Sequence, residues 1–170
     1  MAQIGLESNG SDGEIMFANT RWFVQTEWRL GLHDRHGYES ESHIGRYIGR
    51  NQFFAPYVGW DYRFRSPATA ERNIFGQKNT KDKREIFCAG FRYTLPMFLM
   101  FDIRMDHTGQ VRLQLGREDI ALLPRLRANW MWNTDREWMV GGRWILTKYW
   151  SLSTHYDSDM GFGAGMTITY

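Results

Sequence analysis

Opposite charges recur two residues apart along this chain: Glu27 with Arg29, Asp61 with Arg63, Asp102 with Arg104. Arg92, Arg112, Arg127 and Arg143 add further arginine to the polar faces of other stretches. A two-residue spacing puts both members of a pair on one side of a β-strand. Arginine's planar fork binds carboxylates in partly dry surroundings, and lysine is confined to Lys78, Lys81, Lys83 and Lys148. The chemistry these residues suggest is an acid–guanidinium network inside an enclosed space.

Other groups suggest different chemistry. His33, His36 and His43 lie around HDRHGYESESH, where Asp34, Glu39 and Glu41 stand near enough in sequence to assist. Imidazoles of this kind bind Cu(II), and thioethers select Cu(I), so Met100 and Met131 are candidates for a soft-metal path. His155 in SLSTHYDSD shares a strand face with Ser151, Ser153 and Asp157, the residue types of a hydrolase. Same-face neighbours on a strand are about 7 Å apart, so a second strand must complete any such site. Cys88 sits among small residues and reads as packing.

Two-residue alternation of apolar and polar residues, the strand period, positions all of these groups. In FAPYVGWDYRFR (54–65), Phe54, Val58, Trp60, Tyr62 and Phe64 oppose Tyr57, Gly59, Asp61, Arg63 and Arg65. FVQTEWRLGLH (23–33) and FLMFDIRMD (98–106) alternate in the same way. Turn signals divide the chain into twelve pieces: 2–8, 13–19, 23–34, 42–50, 54–65, 84–95, 98–107, 110–120, 126–134, 137–147, 150–157 and 161–170. Five connections are tight, such as TLPM and LLPR. The intervening ones are longer and more polar, above all SPATAERNIFGQKNTKDK (66–83), a candidate contact surface. Short turns at one end and long loops at the other describe an outer-membrane barrel.

Which face is dry separates a membrane barrel from a soluble one. Several pieces reach about ten residues, the length a tilted membrane strand needs. The polar face carries arginine paired with acid, as a filled lumen requires. Aromatics collect at strand ends (Trp22, Phe53, Phe98, Tyr149 and Trp150 at one end, Trp132 and Trp138 at the other), as interface belts do. Arg46 and Arg117 break the apolar parity, which places them at a register shift or outside the apolar band. The expected fold is therefore all-β: one transmembrane antiparallel barrel of about 12 strands over residues 1–170, in a bacterial outer membrane.

Composition excludes other classes. A net charge of +2 gives no electrostatic case for nucleic acid. A single cysteine forms no internal disulfide, and no apolar run is long enough for a membrane helix. MAQIGLESNG lacks the charged start and apolar stretch of a leader, so an exported chain is expected to begin inside a longer precursor, while GFGAGMTITY is expected to be a natural closing strand ending on Tyr170.

QFFAPYVGWDYRF (52–64), followed after a loop by REIFCAGFRY (84–93), resembles the end of the barrel in the copper resistance protein B family. The resemblance covers roughly residues 23–93. It implies an outer-membrane protein of bacterial copper resistance, embedded in outer-membrane lipid and working beside, or fused to, a periplasmic multicopper oxidase. It also implies copper as the ion handled. The chain would serve as a membrane anchor or a narrow pore with an Arg/acid-lined lumen. Two other readings remain open at this point: an outer-membrane lipase or protease using His155, and a soluble barrel holding an apolar ligand.

Overall fold

The computed structural model of the chain describes residues 2–31, 37–64, 73–77, 84–158 and 161–170. Twelve strands follow in chain order: β1 (Ala2–Glu7), β2 (Gly10–Ala18), β3 (Trp22–Gly31), β4 (Tyr38–Arg46), β5 (Phe54–Phe64) and β6 (Arg84–Leu95), then β7 (Leu99–Asp106), β8 (Val111–Leu123), β9 (Leu126–Asn133), β10 (Trp138–Ile145), β11 (Trp150–Asp157) and β12 (Gly161–Thr169). Each pairs antiparallel with its sequence neighbours, and β12 pairs with β1, so the sheet closes on itself. Pro96–Phe98 forms a single 3-10 turn.

Closure is completed at the chain ends. Ala2 N–H donates to the Tyr170 carbonyl at 2.9 Å and Tyr170 N–H returns to the Ala2 carbonyl at 2.8 Å. The register runs on through Ile4 opposite Ile168 and Leu6 opposite Met166. A closed wall leaves no unpaired strand edge.

The distribution of residues is inside-out. Among the described residues, 5 apolar side chains are buried, against 16 polar or charged ones that include Asp61, Arg63, Arg104 and Arg112. Outward-facing Leu6, Val24, Ile44, Val58, Phe87, Val140, Leu152 and Phe162 are exposed around the whole circumference. Water-soluble monomers rarely present a continuous apolar belt of this kind. Trp22, Phe53, Phe98, Tyr149 and Trp150 are exposed near the turn end. Near the loop end Trp138 stacks on Tyr156 at 5.4 Å.

Three local features depart from the sequence expectation. β4 occupies Tyr38–Arg46 instead of 42–50, because Glu39 and Glu41 find arginine partners inside the barrel and are drawn into the sheet. Residues 47–53 then form a loop, held by one bridge between Ile48 and Phe54. SNGSDG reduces to a tight β1–β2 hairpin, with Gly10 to Gly13 paired inside β2. Finally, β8 carries a bulge between Arg117 and Ile120, with Asp119 at φ 51°. A bulge adds one residue and resets the inward–outward alternation. Arg117 therefore sits on the outer face, opposite Trp130, just before the register shift anticipated for it. Arg46, the other misplaced arginine, lies at the last residue of β4 with its guanidinium 5.3 Å from the Trp22 ring.

Candidate functional site

The barrel interior holds the functional side chains, and the strands deliver them by parity. Cross-strand pairing of large residues with glycine creates the room. The Phe23 ring lies over Gly45, the His43 ring over Gly59 and the Tyr57 ring over Gly90, where an added Cβ would collide with each ring. Small barrels fill their interiors by this alternation of small and large.

The turn-end half of the interior is aromatic on the β3–β6 side. Phe23 meets Tyr47 at 5.2 Å and His43 meets Tyr57 at 4.7 Å, ring centre to ring centre. The Arg92 guanidinium stands 5.8 Å over the Phe23 ring, 3.7 Å from Asp102, and donates to Gln25 at 3.1 Å. Tyr57 O–H donates to Asp102 at 2.7 Å. Gln25 in turn donates to Glu14 and to Glu27.

Above this floor lies the charge network. Glu41 is its centre, with Arg104 at 2.9 Å, Arg112 at 3.4 Å and Arg63 at 3.5 Å. Arg63 also pairs with Glu39, and Arg104 reaches Asp61 at 2.8 Å. Arg112 and Arg63 share Glu137, at 3.3 and 3.8 Å. Three guanidiniums meet four carboxylates, so the group carries a residual negative charge with these residues ionised. A buried charge is tolerated where partners and hydrogen bonds surround it.

The opposite side of the lumen is open. A cavity of about 300 Å³ lies between the β8–β12 and β1–β3 wall and the Glu39, Glu41 and Arg63 side of the charge network, from Gln3, Asp119 and Arg143 at the turn end to Glu137 and Asp157 at the loop end. Thr167 is the β12 residue that lines it, while the Asn9 and His155 side chains fill the space beside Gly163. Ten carboxylates and five guanidiniums line the cavity. The β8 bulge contributes two of the acids, since Glu118 and Asp119 both turn inward.

The remaining expected residues fall as follows. Glu27 and Arg29 line the cavity, with Arg29 in register between Asp12 and Glu39. Arg127 and Arg143 face each other across β9 and β10, and Arg143 pairs with Asp119 and donates to Gln3 at 3.0 Å. His155 lies 2.5 Å from Glu7 and 3.8 Å from Asp157, with the Asn9 amide at 3.3 Å. Ser153 donates to Glu7 and Ser151 to the Thr167 carbonyl, so the histidine is engaged by acids and an amide. Met100 and Met131 flank Gly116 on the same face, two strands apart.

Of the three histidines read as a metal set, His33 and His36 lie outside the described residues. His43 is buried within β4. It stands beside Asp61 and Cys88, whose donor atoms lie with its own within 4.8 Å of one another.

Glu7, Asp12, Glu14 and Glu137 were not anticipated. Parity in β1 and β2 carries a signal for the first three. Glu137 was hidden in a loop motif, where Asn133 accepts from the Asp135 and Glu137 amides and donates to the Glu137 carboxylate at 2.7 Å. No known protein family matches this chain, and no curated protein does, so its functional reading stands on the barrel's interior and its outer face.

Proposed function

We propose that the chain is an outer-membrane β-barrel that gives small cations a narrow route along the β12 wall. The observation that carries this is the combination of an apolar outer belt with an interior cavity lined by twice as many carboxylates as guanidiniums. Rings of acid favour cations over anions in narrow pores. The Glu41-centred network and the aromatic floor fill the other side, so any conductance is small.

The resemblance of FAPYVGWDYRF to the copper resistance protein B family supports a role in copper tolerance of the bacterial envelope, with a periplasmic multicopper oxidase as the partner. His155 has no serine hydroxyl bonded to it among the described residues, which favours passage or anchoring over hydrolysis. The apolar belt favours lipid over a soluble barrel with an apolar ligand, since the interior is charged.

Reconstitution into planar bilayers across a salt gradient tests the reading. Small conductance steps with a cation-selective reversal potential support it. Anion selectivity, or a chain that stays monomeric and folded without detergent, overturns it. Copper sensitivity of a host lacking the chain tests the second part.

A further inference from the structure

Three adjacent strands bring one nitrogen, one oxygen and one sulfur donor to a single point inside the barrel. Gly59 on β5 stands in register between His43 on β4 and Cys88 on β6. It has no side chain, so a hollow opens between its two neighbours, and the His43 ring leans into it. Asp61, two residues along β5 on the same face, closes the third side. All three side chains are buried, at 6%, 0% and 5% exposure.

The spacing is that of metal ligands. Asp61 Oδ1 is 3.5 Å from His43 Nε2 and 3.6 Å from Cys88 Sγ. Bonds of about 2.0–2.1 Å to nitrogen and oxygen and about 2.3 Å to sulfur, at tetrahedral angles, separate donors by roughly 3.3–3.6 Å. The third separation, between the His43 and Cys88 donors, is within 4.8 Å. A second observation points the same way: His43 Nε2 is fully buried and makes no hydrogen bond among the described residues. A buried polar atom that makes no hydrogen bond is costly and calls for an explanation. Arg104 holds the other oxygen of Asp61 at 2.8 Å, leaving Oδ1 aimed at the hollow. Outer partners of this kind fix ligand orientation in metal sites.

We infer that His43 Nε2, Asp61 Oδ1 and Cys88 Sγ form a site for one borderline transition-metal ion of the Zn²⁺ and Co²⁺ class. Nitrogen, oxygen and sulfur together select such an ion over hard Ca²⁺ or Mg²⁺. On binding, the Cys88 S–H bond breaks, its electron pair stays on sulfur to form the sulfur–metal bond, and the proton leaves to bulk water. No electron is transferred. The thiolate offsets one of the ion's two charges, and the residual negative charge of the adjoining network, in which Asp61 pairs with Arg104, offsets the other. The site is independent of ion passage along the β12 wall and of any copper role, and its test does not measure either.

The full chain, folded in detergent micelles under a non-thiol reductant, is titrated with Co²⁺ alone. The expected result is one equivalent bound per barrel, with a near-ultraviolet thiolate-to-cobalt band and tetrahedral visible bands, all displaced by Zn²⁺. Cys88→Ser should abolish the near-ultraviolet band and weaken binding at least tenfold. Gly59→Ala, which drives the His43 ring out of the hollow, should weaken binding comparably while leaving the cysteine in place. A wild-type barrel without the thiolate band, or a Cys88→Ser barrel that binds unchanged, overturns the inference. Where a variant fails to fold, zinc-edge X-ray absorption of the Zn²⁺-loaded wild type decides: one sulfur neighbour near ~2.3 Å upholds the site and its absence ends it.

Discussion

Glu41 on β4 receives Arg104 from β7 at 2.9 Å, a bond that skips the two strands between them instead of following the wall. Neighbouring strands are already joined by their backbone ladders. The Glu41 carboxylate adds cross-braces from Arg63, Arg104 and Arg112, which come from three different strands.

Glu41→Gln should therefore destabilise the barrel by about 1.5–3 kcal/mol, the worth of buried hydrogen bonds to a charged group, since Arg63, Arg104 and Arg112 keep Glu39, Asp61 and Glu137. Urea unfolding of the detergent-folded chain, followed by tryptophan fluorescence, reads this directly. Arg104→Met combined with Glu41→Gln should cost less than the sum of the two single changes, because the residues share one network. Full additivity would show that the braces act independently.

Gly165→Val should block closure between β12 and β1. A Cβ at Gly165 would collide with the backbone carbonyl of Leu6, which cannot step aside without breaking the register. Gly142→Ala is the contrasting case, since its nearest neighbour would be 3.8 Å away. The first variant should lack the compact electrophoretic form of a folded barrel in unheated detergent, and the second should keep it.

Asp119→Asn should shift the reversal potential toward anions. The change removes an acid from the cavity and releases Arg143 from its partner. Glu118→Gln removes an acid without releasing that arginine, so its shift should be smaller. Equal shifts would mean that the Arg143–Asp119 pair has no part in selection.

Val58→Arg should impair insertion into lipid vesicles by about 2–4 kcal/mol, the cost of arginine at the middle of a barrel's lipid face. Val58 lies midway along β5 and faces outward. Tyr170→Arg, at the exposed end of the wall, should cost about 0–1 kcal/mol. Folding yield into vesicles of fixed composition compares the two.

The barrel was readable because one rule, alternation by two, repeats in every strand. Phe54 to Phe64 displays it without a fault, and the twelve pieces follow. The rule fails where tertiary pairing decides the outcome. Tyr38–Arg46 begins with a run of Glu and Ser that has loop composition, and its strand character comes from Arg63 and Arg104 on other strands. The bulge at 117–120 shows in sequence as an arginine on the wrong parity, which marks a disturbance without fixing its register. The hollow at Gly59 was beyond reach, because His43 was grouped with His33 and His36 around one loop and Cys88 was read as packing. Only the register of three strands makes them neighbours.

The bonds between Ala2 and Tyr170 turn the wall into a ring whose joints are unequal in kind. Eleven joints link strands adjacent in sequence and can zip locally. The β1–β12 joint alone draws together the most distant parts of the described chain. Long-range closure carries the largest entropic delay and tends to come late. Gly165 thus serves assembly: with no Cβ to meet the Leu6 carbonyl, it lets the last strand come home against the first.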